Sequence, residues 1–398
     1  MKVLLINHFP LRDSESGIYT LNIAKELVKK GHKVHVIDFD NIFDEEEYNF
    51  QHSRILCNKF ENPSAHLDFN FPCFTSHSRS LQTFYDLDDF QISEYISELN
   101  NEVKRVCRKF KPDVIHTQHI WIASYIANKS KIPYISTCHG TGLVGFKKDS
   151  RYHEYALIGA NNANSIVAIS QQIYADILDS YKALESKIKL IRSGFDQDIF
   201  KILKLDKNAV LEQFKIESSN GKIVSFVGKS TNPKENDMFL KTISLVTKAI
   251  PNVKSLFIGN KDLMPTIAKT HSENKLNNIC FLENLSQQDI SKLHNISDVS
   301  VIPTGVKNSD QIAIESLACG TPVIASNTID LQDIINTSFG ALVESINPTA
   351  FANAIIKELK DNTKQSKGKQ AAEYALEKYS WNNSTNEVIE LYKQALNK

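Results

Sequence analysis

Short apolar runs alternate along this chain with stretches in which apolar positions recur every three or four residues. Residues 2–8 (KVLLINH) open with the continuous apolar pattern of a strand buried on both faces. Leu21, Ala24, Leu27 and Val28 then fall at helical spacing, Gly31 closes that segment, and residues 34–39 return to a strand pattern. Strand, crossover helix and strand make a βαβ unit. Further strands are predicted at 114–116, 134–137 and 165–169 with helical patterns between them, an alternation that predicts a parallel sheet covered on both faces. The pattern restarts after Gly194, with strands at 222–227, 253–258, 279–282, 299–302 and 322–325 and a helix over 237–249. The chain therefore reads as two doubly wound α/β halves joined near 193–208, where the periodicity lapses, with a final amphipathic helix from Trp381. Residues 41–92 are less regular and rich in acids and aromatics. Because aromatics usually pack, they read as strands and loops that finish the first sheet, with an acceptor-binding or membrane-facing surface as the alternative.

Length and composition narrow the function. A chain of 398 residues suits two or three domains. Lys+Arg and Asp+Glu are equal at 46 each, which argues against a general nucleic-acid binder. The six cysteines are scattered without a CxxC pair, the usage of reduced thiols in a cytoplasmic protein, and a zinc site is not expected. The N-terminal apolar run is too short for a signal peptide or a membrane span, and no later segment is long and apolar enough. Peripheral contact with the inner face of a membrane stays open.

The candidate chemistry gathers at strand ends. In AIESLACGTPVIAS (residues 313–326), a short helix pattern carries Glu315, stops at Cys319-Gly320, and turns through Thr321-Pro322 into an apolar strand. Ligands of open α/β sheets collect beside such strand ends and helix starts. An ionised carboxylate there can accept hydrogen bonds from both hydroxyls of a ribose. Backbone amides of Gln311 and Ile312, near the helix start, are candidates for a phosphate site. Gly228 follows the 222–227 strand, and Lys229 and Lys234 could hold a diphosphate and stabilise charge on a leaving group. In the first half, His116 and His119 flank a strand end in HTQH, and His139 stands beside Gly140 in TCHGTG, before a small glycine-rich loop at 140–145. A zinc reading of these histidines lacks a carboxylate or cysteine partner. Ser16 and Gly17, after the polar loop at 7–16, mark a helix start where a ligand can approach backbone amides. No Gly-x-Gly-x-x-Gly follows the first strand, which counts against a dinucleotide oxidoreductase. Asp86-Leu87-Asp88 reads as a solvated acidic turn and not as a metal-binding Asp-x-Asp.

Taken in order, these segments resemble the retaining family 4 glycosyltransferases over nearly the whole chain. Ser16-Gly17, Gly31-His32-Lys33-Val34, Ala168-Ile169-Ser170, Ser193-Gly194-Phe195-Asp196, Phe226-Val227-Gly228-Lys229, the Glu315 block and Tyr379-Ser380-Trp381 carry the resemblance. It implies a GT-B fold, two Rossmann-like domains facing across a cleft. Residues 1–194 would bind the acceptor and 195–380 the nucleotide-sugar donor, with the 381–398 helix crossing back to the first domain. It also implies that Lys229 and Lys234 hold the donor diphosphate, that Glu315 holds the ribose, and that His139, with His119 less firmly matched, orients the transferred sugar. Ser16 and Gly17 would lie on the acceptor side. The expected reaction moves a sugar, UDP-linked by first choice, to a hydroxyl of a glycan, lipid-linked, protein or small-molecule acceptor. No metal or bound cofactor is expected, since the nucleotide-sugar is a co-substrate.

One position departs from the family. Another Glu usually stands eight residues before the ribose-binding one, and here that place holds Lys307, with Asp310 three residues on. Asp310 could substitute, Lys307 could pair with an acidic donor sugar, or catalysis could be lost. A nucleotide-sugar 2-epimerase on the same fold and a non-catalytic partner subunit are the alternatives.

Overall fold

The computed structural model describes residues 1–12, 14–43, 47–59, 63–227, 233–259, 278–283, 285–303 and 308–397. It divides into two compact units, one of residues 1–194 with 381–398 and one of residues 195–380.

The first unit holds strands β1 (Lys2–Ile6), β2 (Lys33–Asp40), β3 (Gln51–Leu56), β4 (Val114–Gln118), β5 (Tyr134–Cys138), β6 (Ser165–Ala168) and β7 (Ile188–Leu190). They form one sheet in the order β3-β2-β1-β4-β5-β6-β7, with every pairing parallel. Central β1 places Val3 beside both Val34 and Val114. Successive side chains of a strand point to opposite faces, and β1 shows the result. Val3 and Leu5 join a core with Tyr19, Ile23 and Leu27 of helix Glu15–Lys29 and Val388 and Tyr392 of helix Trp381–Leu396. Leu4 and Ile6 join the opposite core with Tyr95 and Leu99 of helix Asp89–Phe110. Burying one such side chain contributes about 1.5–3 kcal/mol. The terminal helix buries Val388, Leu391 and Tyr392 together, so it is an integral part of this unit despite following the second one in sequence.

The second unit holds β8 (Ile223–Val227), β9 (Lys254–Ile258), β10 (Ile279–Leu282), β11 (Val299–Ile302), β12 (Val323–Ser326) and β13 (Gly340–Val343), in the parallel order β10-β9-β8-β11-β12-β13. Among its helices are Pro233–Ala249, Gln287–Ile296, Ser309–Ala318, Pro348–Leu359 and Lys364–Tyr379. Within each sheet the first strand has the second on one side and the fourth on the other. That reversal opens a crevice beyond the carboxyl ends of the two strands, the usual ligand position in such sheets. The crevices lie after β1 and β4 in one unit and after β8 and β11 in the other.

The aromatic segment at 41–92 contributes β3 and then packs inward. Phe69, Phe71, Phe74 and Phe84 are buried, while Phe43 and Phe90 stay exposed. Asp86 accepts from the Thr83 N–H and hydroxyl at 2.8 and 2.7 Å, and Asp88 caps helix Asp89–Phe110 through a reciprocal bond pair with Gln91. Both carboxylates of the Asp-Leu-Asp triplet thus have local structural roles. The expected glycine-rich loop at 140–145 is instead the start of helix Thr141–Lys148. Its glycines answer to packing. A Cβ on Gly142 would lie 2.5 Å from the Trp121 ring, and one on Gly145 would lie 2.6 Å from Phe74. The helix predicted from 237 begins at Pro233, a residue suited to a first helical turn.

Candidate functional site

In the second unit the site is built on helix Ser309–Ala318, which follows β11. The helix ends in paired C-terminal bonds, Gly320 N–H to Leu317 C=O at 2.9 Å and Thr321 N–H to Ser316 C=O at 3.0 Å. Gly320 has φ +75°, a left-handed conformation that glycine adopts without strain. Ala313, Ile314, Leu317 and Ala318 are buried on the inner face and set the helix orientation. Glu315 is half-buried, and its Oε1 accepts from the Gln311 side-chain amide at 3.1 Å. Burial, with a smaller contribution from the Asp310 charge, pushes its carboxyl up to about 7. Among the described residues no basic side chain offsets that displacement. A carboxyl held against its preference in this way is often a group kept for a ligand.

The other residues expected around the donor are only partly visible. Asn308 caps the helix in a left-handed conformation, φ +55°, with no side-chain capping bond. The Ile312 N–H, expected at a phosphate, already donates to the Asn308 C=O at 3.1 Å as an ordinary helical bond. The Gln311 amide lies one residue nearer the helix start. Asp310 and Gln311 both stand half-buried in the first turn. Gly228, Lys229 and Lys307 lie outside the described residues. Lys234 is in the first turn of helix Pro233–Ala249, and its side chain lies outside the description.

In the first unit the crevice after β1 and β4 is lined by aromatic and imidazole rings. His8 stacks on Trp121 with ring centroids 4.6 Å apart, His119 lies 4.8 Å from Trp121 and 5.0 Å from His139, and Tyr19 meets His139 edge-on at 5.0 Å. His139 is half-buried, and its Nε2 lies 2.9 Å from Gln118 Oε1. His119 takes φ +77° after the last residue of β4, and its Nδ1 lies 3.2 Å from Thr141 Oγ1. Its Nε2 and the Gln118 amide nitrogen are buried with no hydrogen-bond partner. His8 is fully buried between the Ala123 N–H, 3.2 Å from Nε2, and Tyr95 Oη, 2.6 Å from Nδ1. Burial pushes His8 and His139 down to about 3, and His119 well below its ordinary value. All three rings are neutral at physiological pH.

His116 is not part of this lining. It is fully buried, with its two nitrogens 2.8 Å from Tyr392 Oη and 2.7 Å from Thr137 Oγ1, a structural arrangement. Among the described residues no cluster of His, Cys, Asp or Glu is arranged to hold a metal ion. All six cysteines are free thiols, four of them buried. No helix among the described residues is long and apolar enough to cross a membrane.

Ser16 and Gly17 occupy the first turn of helix Glu15–Lys29, where Ser14 Oγ accepts the Gly17 N–H at 3.0 Å. A Cβ on Gly17 would lie 2.0 Å from the Pro10 C=O, so the loop after β1 can lie against the helix only because this residue is glycine. Sequence reasoning did not single out His8, gave no role to Gln118, noted only as standing where relatives often carry the second His of His-x-His, and did not single out Tyr19. The signal for the first two was their place at the ends of β1 and β4, which becomes informative once the strand order is known.

Two family models match in tandem, Glycosyltransferase Family 4 over residues 16–199 and Glycosyl transferases group 1 over residues 210–377. The fold and these matches define a glycosyltransferase of the GT-B class. The chain belongs to this glycosyltransferase family, with the family 4 model on its first unit and the group 1 model on its second. An uncharacterized glycosyltransferase of Methanocaldococcus jannaschii is 25% identical over 299 residues, covering 72% of this chain and 76% of that protein. A glycosyltransferase structure from Rickettsia africae superposes with a TM-score of 0.72 at 21% identity, covering 99% of this chain and 98% of that one. The HepE structure from Anabaena, solved in complex with UDP and glucose, superposes at 0.68 with 15% identity over 98% of both chains.

Proposed function

We propose that the chain is a retaining, metal-independent glycosyltransferase that moves a sugar from a nucleoside diphosphate, UDP by first choice, to an acceptor hydroxyl. The observation that carries this reading is Glu315, a carboxyl with a raised proton affinity beside the crevice of the second sheet. A ribose diol donates two hydrogen bonds to such a group and replaces the water it lacks. Lys229 and Lys234 would neutralise the diphosphate and stabilise it as a leaving group, with the Gln311 amide at the helix start adding to that site. His139 would orient the transferred sugar, assisted by His119. Asp310 would take the place of the carboxylate that relatives carry where this chain has Lys307. Ser16 and Gly17 would shape the acceptor side. The UDP complex of the HepE neighbour supports UDP as the first donor to try. The acceptor class is a glycan, a lipid-linked glycan, a protein or a small molecule, and the protein is expected in the cytoplasm.

The test is thermal stabilisation by a panel of nucleoside diphosphates and nucleotide sugars, with and without EDTA. A ligand that binds only the folded state raises its stability by mass action. Selective, EDTA-resistant stabilisation by one base is the expected result, followed by transfer in an acceptor screen. No shift with any nucleotide would overturn the donor site. Sugar turnover without an acceptor would favour a 2-epimerase, and binding without turnover a partner subunit.

A further inference from the structure

We propose that Gln118 is a positioning residue that fixes His139 as a neutral hydrogen-bond acceptor, so that this part of the first crevice takes a hydroxyl and disfavours an anionic group. The ligand half of this statement rests on the transferase reading above. The tautomer half does not.

Gln118 is the last residue of β4 and is fully buried. Its Oε1 lies 2.9 Å from His139 Nε2. An amide oxygen can only accept, so Nε2 must carry the ring proton, and in a neutral imidazole Nδ1 is then a bare lone pair. Nδ1 has no hydrogen-bond partner among the described residues and is not among the buried unpartnered atoms, so it is the polar atom of this ring that a ligand can reach. The bond is also the one that holds the Gln118 side chain among the described residues, because its amide nitrogen is buried without a partner. The pair thus has one purpose visible in the fold, the orientation and tautomer of His139.

The surroundings keep the ring uncharged. The groups packed on His139 are Tyr19 from helix Glu15–Lys29 and His119 from the turn after β4, with His116 of β4 close enough to interact electrostatically. None of them is a carboxylate. A second proton on His139 would place an imidazolium among phenol and imidazole rings with no counter-ion among the described residues, and burial pushes its proton affinity down accordingly. A substrate hydroxyl can donate to Nδ1. A carboxylate or phosphate oxygen would meet a lone pair with its own lone pair and find no proton. This reading sets aside an acidic sugar at this position, whatever the role of Lys307.

The experiment is side-chain 15N NMR of the full chain labelled at histidine, without nucleotide, with the His139 signal assigned by its loss in His139→Asn. The expected result is a protonated Nε2 and an unprotonated Nδ1 from pH 5 to pH 8. In Gln118→Glu a carboxylate accepts from the same N–H, and the midpoint for the second proton rises by more than about one pH unit, a tenfold change in proton affinity. Nucleotide-sugar turnover by that variant then acquires a pH dependence with the same midpoint. Gln118→Met keeps the volume without the acceptor, and both neutral tautomers should coexist. It serves as the readout if the Glu variant does not fold. An Nδ1–H tautomer in the wild type, or an unmoved midpoint in folded Gln118→Glu, overturns the positioning role. Stronger stabilisation by UDP-glucuronic acid than by UDP-glucose overturns the hydroxyl preference. If the NMR result holds and no nucleotide binds, the tautomer assignment stands and the transferase reading fails.

Discussion

Replacing Glu315 by Gln should make the free protein more stable at neutral pH, although the substitution removes a charged residue from the candidate donor site. The carboxyl is displaced from an ordinary 4.5 to about 7, mainly by burial. At about 1.4 kcal/mol per tenfold change in proton affinity, keeping Glu315 ionised above pH 7 costs the fold about 3 kcal/mol. Residual exposure of the side chain makes this an upper bound, so about 1–3 kcal/mol is expected. The sign follows from linkage. The folded state holds this proton more tightly than the unfolded state, so its contribution is most favourable below pH 4.5 and is lost as the pH rises toward 7. Glutamine is neutral throughout and preserves the carbonyl oxygen that accepts from Gln311 at 3.1 Å. Urea unfolding of both proteins at pH 4.5, 6 and 7.5 would measure it. The expected result is near-equality at pH 4.5 and a growing advantage for the variant up to pH 7.5, with weaker stabilisation by nucleotide. A difference that does not change with pH, or a variant that loses ground as the pH rises, would refute a Glu315 charged against its surroundings.

His294 should act in the opposite direction on the same axis. It is buried with both ring nitrogens unpartnered, and burial pushes it down to about 4. Its contribution is complete above pH 6.5 and is lost as the pH falls toward 4, by about 3 kcal/mol, so His294→Leu should flatten the acid limb of the urea midpoints. Gly17→Ala would raise helix propensity by about 1 kcal/mol. Because its Cβ would meet the Pro10 C=O at 2.0 Å, overpacking should dominate, with a net loss of about 1–3 kcal/mol in the same unfolding assay.

The legibility of this chain followed burial. Central strands such as β1, β4 and β8 are buried almost throughout and were readable as strands. The strands that sequence reasoning did not delimit, β3 within the 41–92 segment and β7 and β13, all lie at sheet edges. There one side is unpaired and fewer positions need to be apolar: β3 reads QHSRIL with four of its six residues outside the core. The position of Glu315 was legible because a helix stop and a strand start follow it within a few residues. The roles of Gln118 and His8 were not, because they come from the order of strands in the sheet, which places residues distant in sequence at one edge. The glycines after His139 looked like a ligand loop because the sequence does not show Trp121 and Phe74 lying against them.

The path of the last helix has a consequence for the order of events during synthesis. Tyr392 supplies a hydroxyl to His116, 276 residues earlier in the chain, and Ser384 donates to the Arg192 C=O. A ribosome finishes the second unit before it releases these residues. The first unit must therefore wait, with one face of its sheet covered only in part by helix Glu15–Lys29, until helix Trp381–Leu396 emerges, and a chain that stopped before that helix would lack the rest of the cover.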